Sequence, residues 1–591
     1  MKSSGIKITT LLFFLFQMNL VQAQIQKGEL IKGQTVSSEI APNEKHQYKV
    51  KLDKDQFALL KLIQQGVDVK ITTSDSKNEK IEDFDSPNGK NGPEFITLIS
   101  TEQGIYSIEI YPLDENGPPG KYELSIEKIK PKAVTPNEKV DELFTVWNFN
   151  EAPGAAVAVI KDDSIIYKKG YGMANLEYDI PIRPSTIFHI ASVSKQFTVF
   201  TILLLEKEGK LSLDDDIRKY IPEVPDFGET ITLKHLASHT SGLRDQWNLL
   251  AMAGWRLDDV ITKEHILKLV SRQTALNFTP GDEFLYCNTG FTLLAEVVAR
   301  VSGKSFAEFT KENIFDPLKM SNTLFYDDHE KIVKNRAYSY YPDSTGYKKC
   351  VLSYANVGAT SLFTTVEDLS LWSLNFSNPL IGDADLLNTM NTPAVLNNGK
   401  TFGGALGQFV GTYKGLNEIQ HGGSDAGYRT YLTRFPDQKF SVIVFSNSAA
   451  FRPDMMAHKI VDIYLNDKIQ VEPKQEAKKV ELIKLTEGDQ ITDASSVKPF
   501  DKTTVNLTDF TGRFYSEELA TEYRFNVVDE KLIAQHSRLS DFELDPIKED
   551  QFSGDAWFFS QIEFIRDANN VISGCKVSSG RVRNLIFKKM D

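Results

Sequence analysis

The sequence predicts a multidomain chain in which a central α+β domain, built on a largely antiparallel sheet with helices and a helical subdomain, is flanked on each side by an all-β segment. Three observations carry this expectation. At 591 residues the chain is too long for a single hydrophobic core. In residues 24–132, and again from Phe510 onward, apolar residues alternate with polar ones as half-buried strands do. Between those segments apolar residues recur at spacings of three and four, the helix period, among strand-like runs. An apolar content of 41% and a charged content of 25% are ordinary for globular protein. The net charge of −13 argues against nucleic acid, since phosphate binding needs a basic face.

Taken in order, the N-terminus reads as an export leader over residues 1–23. Lys2 and Lys7 form a positive start, Ile8 to Val21 an apolar stretch, and Val21-Gln22-Ala23 a small-residue cleavage site before Gln24. The apolar stretch is short, and polar at Gln17 and Asn19, for a membrane span. Residues 24–132 read as all-β, with strands at Tyr48/Val50/Leu52, Val67/Val69/Ile71, Tyr106/Ile108/Ile110 and Tyr122/Leu124/Ile126. Turn clusters such as Ser86-Pro87-Asn88-Gly89 separate them. The central domain, residues 138–468, opens with two strands, Ala155–Ile160 and Ile165–Tyr171, joined near Asp162-Asp163. Residues 469–504, with Pro473, Lys474, Lys478 and Lys479, read as a polar linker. Residues 505–591 are all-β again, with strands at Tyr523/Phe525/Val527, Phe542/Leu544 and Trp557/Phe559. Three cysteines, Cys287, Cys350 and Cys575, do not make a disulfide framework, and Cys287 reads as a small filler.

Chemistry concentrates in three places. Ser192-Val193-Ser194-Lys195 opens an apolar-periodic run from Phe197 to Leu205 that stops at Gly209, a helix ended by a C-terminal glycine. Residues three apart share a helix face, so the Ser192 hydroxyl and Lys195 ammonium meet at its start, where free N–H groups favour negative charge. A lysine of lowered pKa activates a serine without histidine. The plainer reading is an N-cap serine beside a surface lysine. Tyr286-Cys287-Asn288 precedes a second helix, with Phe291, Leu294, Val298 and Val301 on its apolar face and an end at Ser302-Gly303. His421-Gly422-Gly423 lies ahead of a strand-like run, Tyr428 to Phe435. Taken singly, Tyr286 would be a core tyrosine and His421 a strand histidine. Gly422-Gly423-Ser424-Asp425-Ala426 nearly matches a nucleophile elbow, but a strand rather than a helix follows it. His235 and His239 stand four apart without a glutamate between or an evident third ligand, so a metal site is not expected.

The order S-x-x-K, Y-x-N, H-x-G resembles the penicillin-recognising serine hydrolases: the class C β-lactamase and D,D-peptidase superfamily, in the branch with histidine in the third motif. Gly170-Tyr171-Gly172-Met173-Ala174, Leu213 to Asp216, His239-Thr240-Ser241-Gly242-Leu243, Phe315 to Met320, Thr364 to Leu369 and Gly427-Tyr428-Arg429-Thr430 are similar to that family in order and spacing. The resemblance covers residues 138–468 and implies a β-lactamase/transpeptidase-like fold. The N-terminal segment, residues 24–132, resembles the small β-sandwich known as the bacterial pre-peptidase C-terminal domain, and the tail a lipocalin-like β-barrel.

The resemblance implies Ser192 as nucleophile, Lys195 and Tyr286 in the proton path, Asn288 holding Lys195 or the substrate carbonyl, and His421 as a cationic neighbour when protonated. Ser192 and Ser424 would supply oxyanion N–H groups from a substrate-binding edge made by Gly422, Gly423 and Ser424. Arg429 would meet a substrate carboxylate or lie in an internal salt bridge. A phenol titrates near 10, so Tyr286 is expected to need cationic neighbours to work near neutrality. The family usually carries Lys-Thr where His421-Gly422 stands, which weakens an antibiotic-hydrolysing reading. The expected function is an exported bacterial serine hydrolase, periplasmic or secreted, acting through an acyl-enzyme on a peptide, D-amino-acid derivative or small ester. It is expected to need no cofactor and to take a small-molecule or peptide substrate, cell-wall-derived material included, with no nucleic acid and no membrane span. Two alternatives stand beside it: a β-lactamase or D,D-carboxypeptidase, and a glycan- or penicillin-binding protein with little or no turnover.

Overall fold

The computed structural model describes residues 23–86, 88–343, 346–470 and 500–590. The leader before Ala23 and most of the polar stretch 469–504 lie outside the described residues. The chain divides into two compact units, one holding the N-terminal segment and the other both the central and the C-terminal segments.

In the N-terminal unit two sheets enclose one core. Strands Ala23–Glu29, Glu44–Leu52, Gly104–Pro112, Val69–Ser74 and Lys80–Phe84 form one sheet in that spatial order. Thr35–Ile40, Gly120–Pro131, Gln56–Gln65 and Asn91–Ile99 form the other. The alternation in sequence is the alternation in space: Tyr48, Val50, Leu52, Tyr106, Ile108, Ile110, Tyr122 and Leu124 all point inward and are buried.

The second unit is built on a six-stranded antiparallel sheet, in the order Ser164–Tyr171, Ala155–Lys161, Phe440–Ser446, Tyr428–Phe435, Leu416–Asp425, Phe409–Tyr413. Its first hairpin turns on Asp162 and Asp163, both in the left-handed region (φ 49° and 62°), as a two-residue turn requires. Ala155–Ile160 and Phe440–Ser446 are buried throughout because helices cover both sheet faces. Helices Pro136–Leu143 and Pro453–Tyr464 pack on one side. Helix Val366–Asn375 packs on the other, against helix Lys195–Lys207 through Trp372 stacked on Phe197. Helix Asn288–Ser302 lies against Lys195–Lys207 and ends in a left-handed Gly303 (φ 70°).

The C-terminal segment is a closed, eight-stranded, up-and-down barrel running from Gly512–Ser516 to Val582–Met590, and those two strands close it. Tyr523, Phe525, Leu544 and Phe587 fill its interior. The strand expected at Trp557/Phe559 is instead a turn between strands Gln551–Gly554 and Gln561–Arg566. Phe559 plugs the barrel end and Trp557 faces solvent, so two aromatics two apart imitate a strand without pairing.

Barrel and central domain share one continuous apolar core. Its polar clasp is Arg244, whose Nη1 donates to Glu518 Oε2 at 2.7 Å with both side chains buried. Thr274 donates to the same carboxylate through its N–H and hydroxyl, each at 3.2 Å. Among the described residues no helix is long and apolar enough to cross a membrane.

Candidate active site

Ser192 lies in a single 3₁₀ turn, Ala191–Ser194, from which helix Lys195–Lys207 continues. The turn is tight: Ala191 takes a left-handed conformation (φ 47°), uncommon for a residue with a Cβ. The surroundings hold it there, since the Ala191 N–H donates to His189 Nδ1 at 3.2 Å and the Ser194 hydroxyl donates to Ala191 O at 2.5 Å. The strand carrying the third motif runs beside it, and Thr430 Oγ1 donates to Ile190 O at 2.9 Å. Gly423 is required by that approach, because an added Cβ would run into the Thr430 hydroxyl and the Ile190 carbonyl. The strand edge at Ser424 is thereby brought to the turn at Ser192, the two backbones expected to furnish oxyanion N–H groups.

Lys195 is fully buried. Its Nζ donates to Ser192 Oγ at 3.0 Å, Asn288 Oδ1 at 2.8 Å and Ala359 O at 2.7 Å. Three acceptors match the three N–H bonds of an ammonium. They equally suit a neutral amine, which keeps two donors for the amide and carbonyl and turns its lone pair to the serine hydroxyl. Burial pulls Lys195 well below the ordinary lysine range, an effect opposed by the charges of Asp425 and Asp245 and assisted by Arg581. An amine so placed can accept the Ser192 proton.

Tyr286 and Asn288 sit at the start of helix Asn288–Ser302. The Tyr286 ring stacks on His239 at 4.1 Å between centroids, with Lys195 Nζ 4.9 Å from its centroid. Its hydroxyl is buried and, among the described residues, has no partner in hydrogen-bonding geometry, though Ser192 is near enough to favour its ionisation. Burial wins over that neighbour and over Arg581, and holds Tyr286 above the ordinary phenol range. The cationic neighbours that Tyr286 was expected to need therefore do not bring the phenol down to neutrality: it stays protonated and can donate, while the buried Lys195 amine can accept.

His421 is corrected in the same sense. Burial and the charge of Lys195 lower it to about 3, so it is neutral through the working range. Its Nδ1 lies 2.6 Å from Gly422 O and donates to it, while Nε2 is buried and, among the described residues, has no hydrogen-bond partner. Phe409 packs against the ring, with centroids 5.3 Å apart. Gly422 lies open toward Tyr431, so a side chain would fit there. Arg429 Nη1 donates to Ala426 O at 3.1 Å and Tyr428 O at 2.8 Å, clasping the turn that follows Ser424. Burial also pushes the Cys287 thiol up to about 12, in keeping with a filler.

Three functional neighbours escaped the sequence reading. Asp245, fully buried, accepts from the Asn288 N–H at 2.6 Å and from Asn288 Nδ2 at 2.9 Å, so it fixes the amide whose oxygen holds Lys195. It also caps helix Gln246–Met252. Asp425, next after Ser424, accepts from the Thr360 hydroxyl, and burial raises its pKa. The third is Arg581, from the C-terminal barrel, whose guanidinium carbon lies 4.7 Å from the Tyr286 centroid. The aspartates carried a faint signal, Asp245 two residues past His239–Leu243 and Asp425 next after Ser424; Arg581 carried none.

The two histidines weighed as a metal pair serve other ends. His235 Nδ1 accepts from the Thr232 N–H at the start of its own helix, and His239 Nδ1 accepts from the Cys287 N–H at 3.0 Å. Among the described residues no three His, Cys, Asp or Glu side chains converge as a metal site.

Comparison with known proteins places this geometry. Residues 145–464 match the family model described as Beta-lactamase. The chain is similar to a D-aminopeptidase of Gluconobacter oxydans, 26% identical over 50% of this chain and 56% of the relative. It is similar to penicillin-binding protein 4* of Bacillus subtilis, 28% identical over 52% of this chain and 70% of the relative. The chain thus spans little more than half the length of the D-aminopeptidase. Among solved structures, an octameric penicillin-binding protein homologue from Pyrococcus abyssi shares the fold, with a TM-score of 0.50 and 24% identity over 76% of this chain and 98% of that one.

Proposed function

The chain belongs to the beta-lactamase family, and on that premise we propose that it is a serine hydrolase that opens amide bonds through an acyl-enzyme on Ser192. The observation that carries the reading is the Lys195 amine, buried, depressed in pKa and 3.0 Å from Ser192 Oγ. Ser192 Oγ attacks the substrate carbonyl carbon as its proton passes to Lys195. The oxyanion so formed lies between the Ser192 and Ser424 N–H groups, each worth about 2.7–4 kcal/mol in such sites. The C–N bond then breaks as the leaving nitrogen takes a proton from Tyr286, which recovers it from Lys195. Water attacks the remaining ester by the same path in reverse, releasing a carboxylic acid and restoring Ser192.

The substrate class is a small peptide or D-amino-acid amide, a reading supported by the relatives named D-aminopeptidase and by the neutral His421. The test is a fluorophosphonate probe and a panel of D- and L-aminoacyl anilides, D-Ala-D-Ala peptides, p-nitrophenyl esters and nitrocefin. The expected adduct is on Ser192, with amides turned over well and nitrocefin poorly. Lys195→Ala and Tyr286→Phe each lower turnover by about 10²-fold or more. Labelling that survives Ser192→Ala overturns the mechanism, and efficient nitrocefin hydrolysis favours the β-lactamase reading.

The protein works outside the cytoplasm, in the periplasm or beyond. The support is the sequence alone: Lys2, Lys7, the apolar stretch and the Val21-Gln22-Ala23 site. N-terminal sequencing from the host is expected to start at Gln24, and uncleaved protein in the cytoplasm contradicts it.

A further inference from the structure

The barrel's last hairpin, Ile572–Ser579 with Val582–Met590, reverses through the two residues Gly580 and Arg581, since Ser579 pairs with Val582. Gly580 takes the left-handed conformation (φ 51°) that lets so short a turn close. The central domain holds both ends of this turn. Asn248 Nδ2 donates to Ser579 O at 3.2 Å. Arg581 O accepts from Asn277 Nδ2 at 3.0 Å and from the Asp245 N–H at 3.3 Å. The Arg583 N–H donates to Asn277 Oδ1 at 2.8 Å. The tip is therefore a fixed part of the wall around Tyr286.

The side chain it presents is poised for a ligand. The guanidinium lies against the Tyr286 ring and, among the described residues, donates no hydrogen bond to a protein acceptor. The nearest carboxylate oxygen, Asp245 Oδ2, stands 3.9 Å from Nη1 and already takes two hydrogen bonds from Asn288. Asp245 thus steadies the guanidinium by charge while leaving its N–H groups unused. The side chain is 35% exposed, so a solute reaches it. The other candidates for binding an anion here are poor: His421 is neutral, and Arg429 Nη1 is spent on the carbonyls of Ala426 and Tyr428.

We propose that the C-terminal barrel completes the active site with Arg581, a specificity-determining residue that receives the carboxylate of the leaving amino acid of a short peptide. The placement on the leaving-group side rests on the proposed role of Tyr286 as proton donor to that group. A guanidinium pairs a carboxylate through two parallel N–H bonds, which a lysine cannot reproduce.

Two measurements test it. In full-length Ser192→Ala protein, calorimetry compares D-alanyl-D-alanine with its C-terminal amide. Arg581→Ala is expected to weaken the acid form by about tenfold or more relative to the amide, and Arg581→Lys to recover only part of that. In the active enzyme, the ratio of kcat/KM for the acid to that for the amide falls by a similar factor. An unchanged ratio, or equal losses for acid and amide, overturns the proposal. Ser192 labelling in the same Arg581 variants separates that failure from failure of the hydrolase reading, and an unaltered melting temperature in Arg581→Lys excludes loss of the fold.

Discussion

At the scale of single residues, the site is an arrangement of buried charges whose balance sets when Lys195 becomes a base. Asp425 and Asp245 favour its ammonium form, while burial and Arg581 favour the free amine. His421 and His239 are both held neutral by burial and add no positive charge of their own. Only the amine can accept the Ser192 proton, so kcat/KM rises with pH through the titration of this cluster. Lys195 and Asp425 interact, so that acid limb belongs to the pair and not to either residue. Asp425→Asn removes a charge that stabilises the ammonium, which lowers the Lys195 pKa and moves the limb to lower pH. Arg581→Ala removes a charge that opposes the ammonium and moves it to higher pH. The check is kcat/KM for a neutral ester across pH 5 to 9 in both variants, with opposite displacements as the expected result. Displacement in the same direction, or none, would mean that these charges do not govern Lys195.

At the scale of elements, the sequence was legible wherever one period dominated. Helices Lys195–Lys207 and Asn288–Ser302 were read from their apolar spacing and terminal glycines, and both ends lie at Gly209 or Gly303 as expected. The N-terminal strands were legible because each buries one face against one core. At the third motif only His421, taken singly, pointed to a strand, and the strand-like run was placed after it, although Leu416–Asp425 runs through the motif. Gly422 and Gly423 lower strand propensity there, and what forms the strand is pairing with Tyr428–Phe435, a tertiary contact. Trp557 and Phe559 erred the opposite way, since spacing by two arises in a turn without a ladder. The site itself was readable as far as its motifs reached. Asp245 and Asp425 act through contacts with Asn288 and Thr360 that no spacing encodes. Arg581 belongs to an element far along the chain whose role composition alone left open.

For the molecule as a whole, the barrel is packed into the central domain and not hung from it as an appendage. One apolar core runs from Ala156 in the central sheet to Phe587 in the last barrel strand. Tyr523 of the barrel donates to Met252 O at 2.9 Å, at the end of the helix that Asp245 caps. The Arg244–Glu518 pair lies inside the same contact, with side chains 2% and 5% exposed. Removing Arg244 leaves the Glu518 carboxylate buried with, among the described residues, only Thr274 as donor, and breaking such a pair costs about 3–5 kcal/mol. Replacing both partners by apolar residues of similar volume costs less, because no charge is then stranded. Differential scanning calorimetry is expected to show the central domain and barrel unfolding in one transition. Arg244→Met is expected to lower that transition as a whole, and Arg244→Met with Glu518→Leu to recover part of the loss. A barrel transition that separates from that of the central domain in the wild-type protein would show that the shared core does not couple them, and Arg581 would then have to hold its place at Tyr286 through the hydrogen bonds of its turn alone.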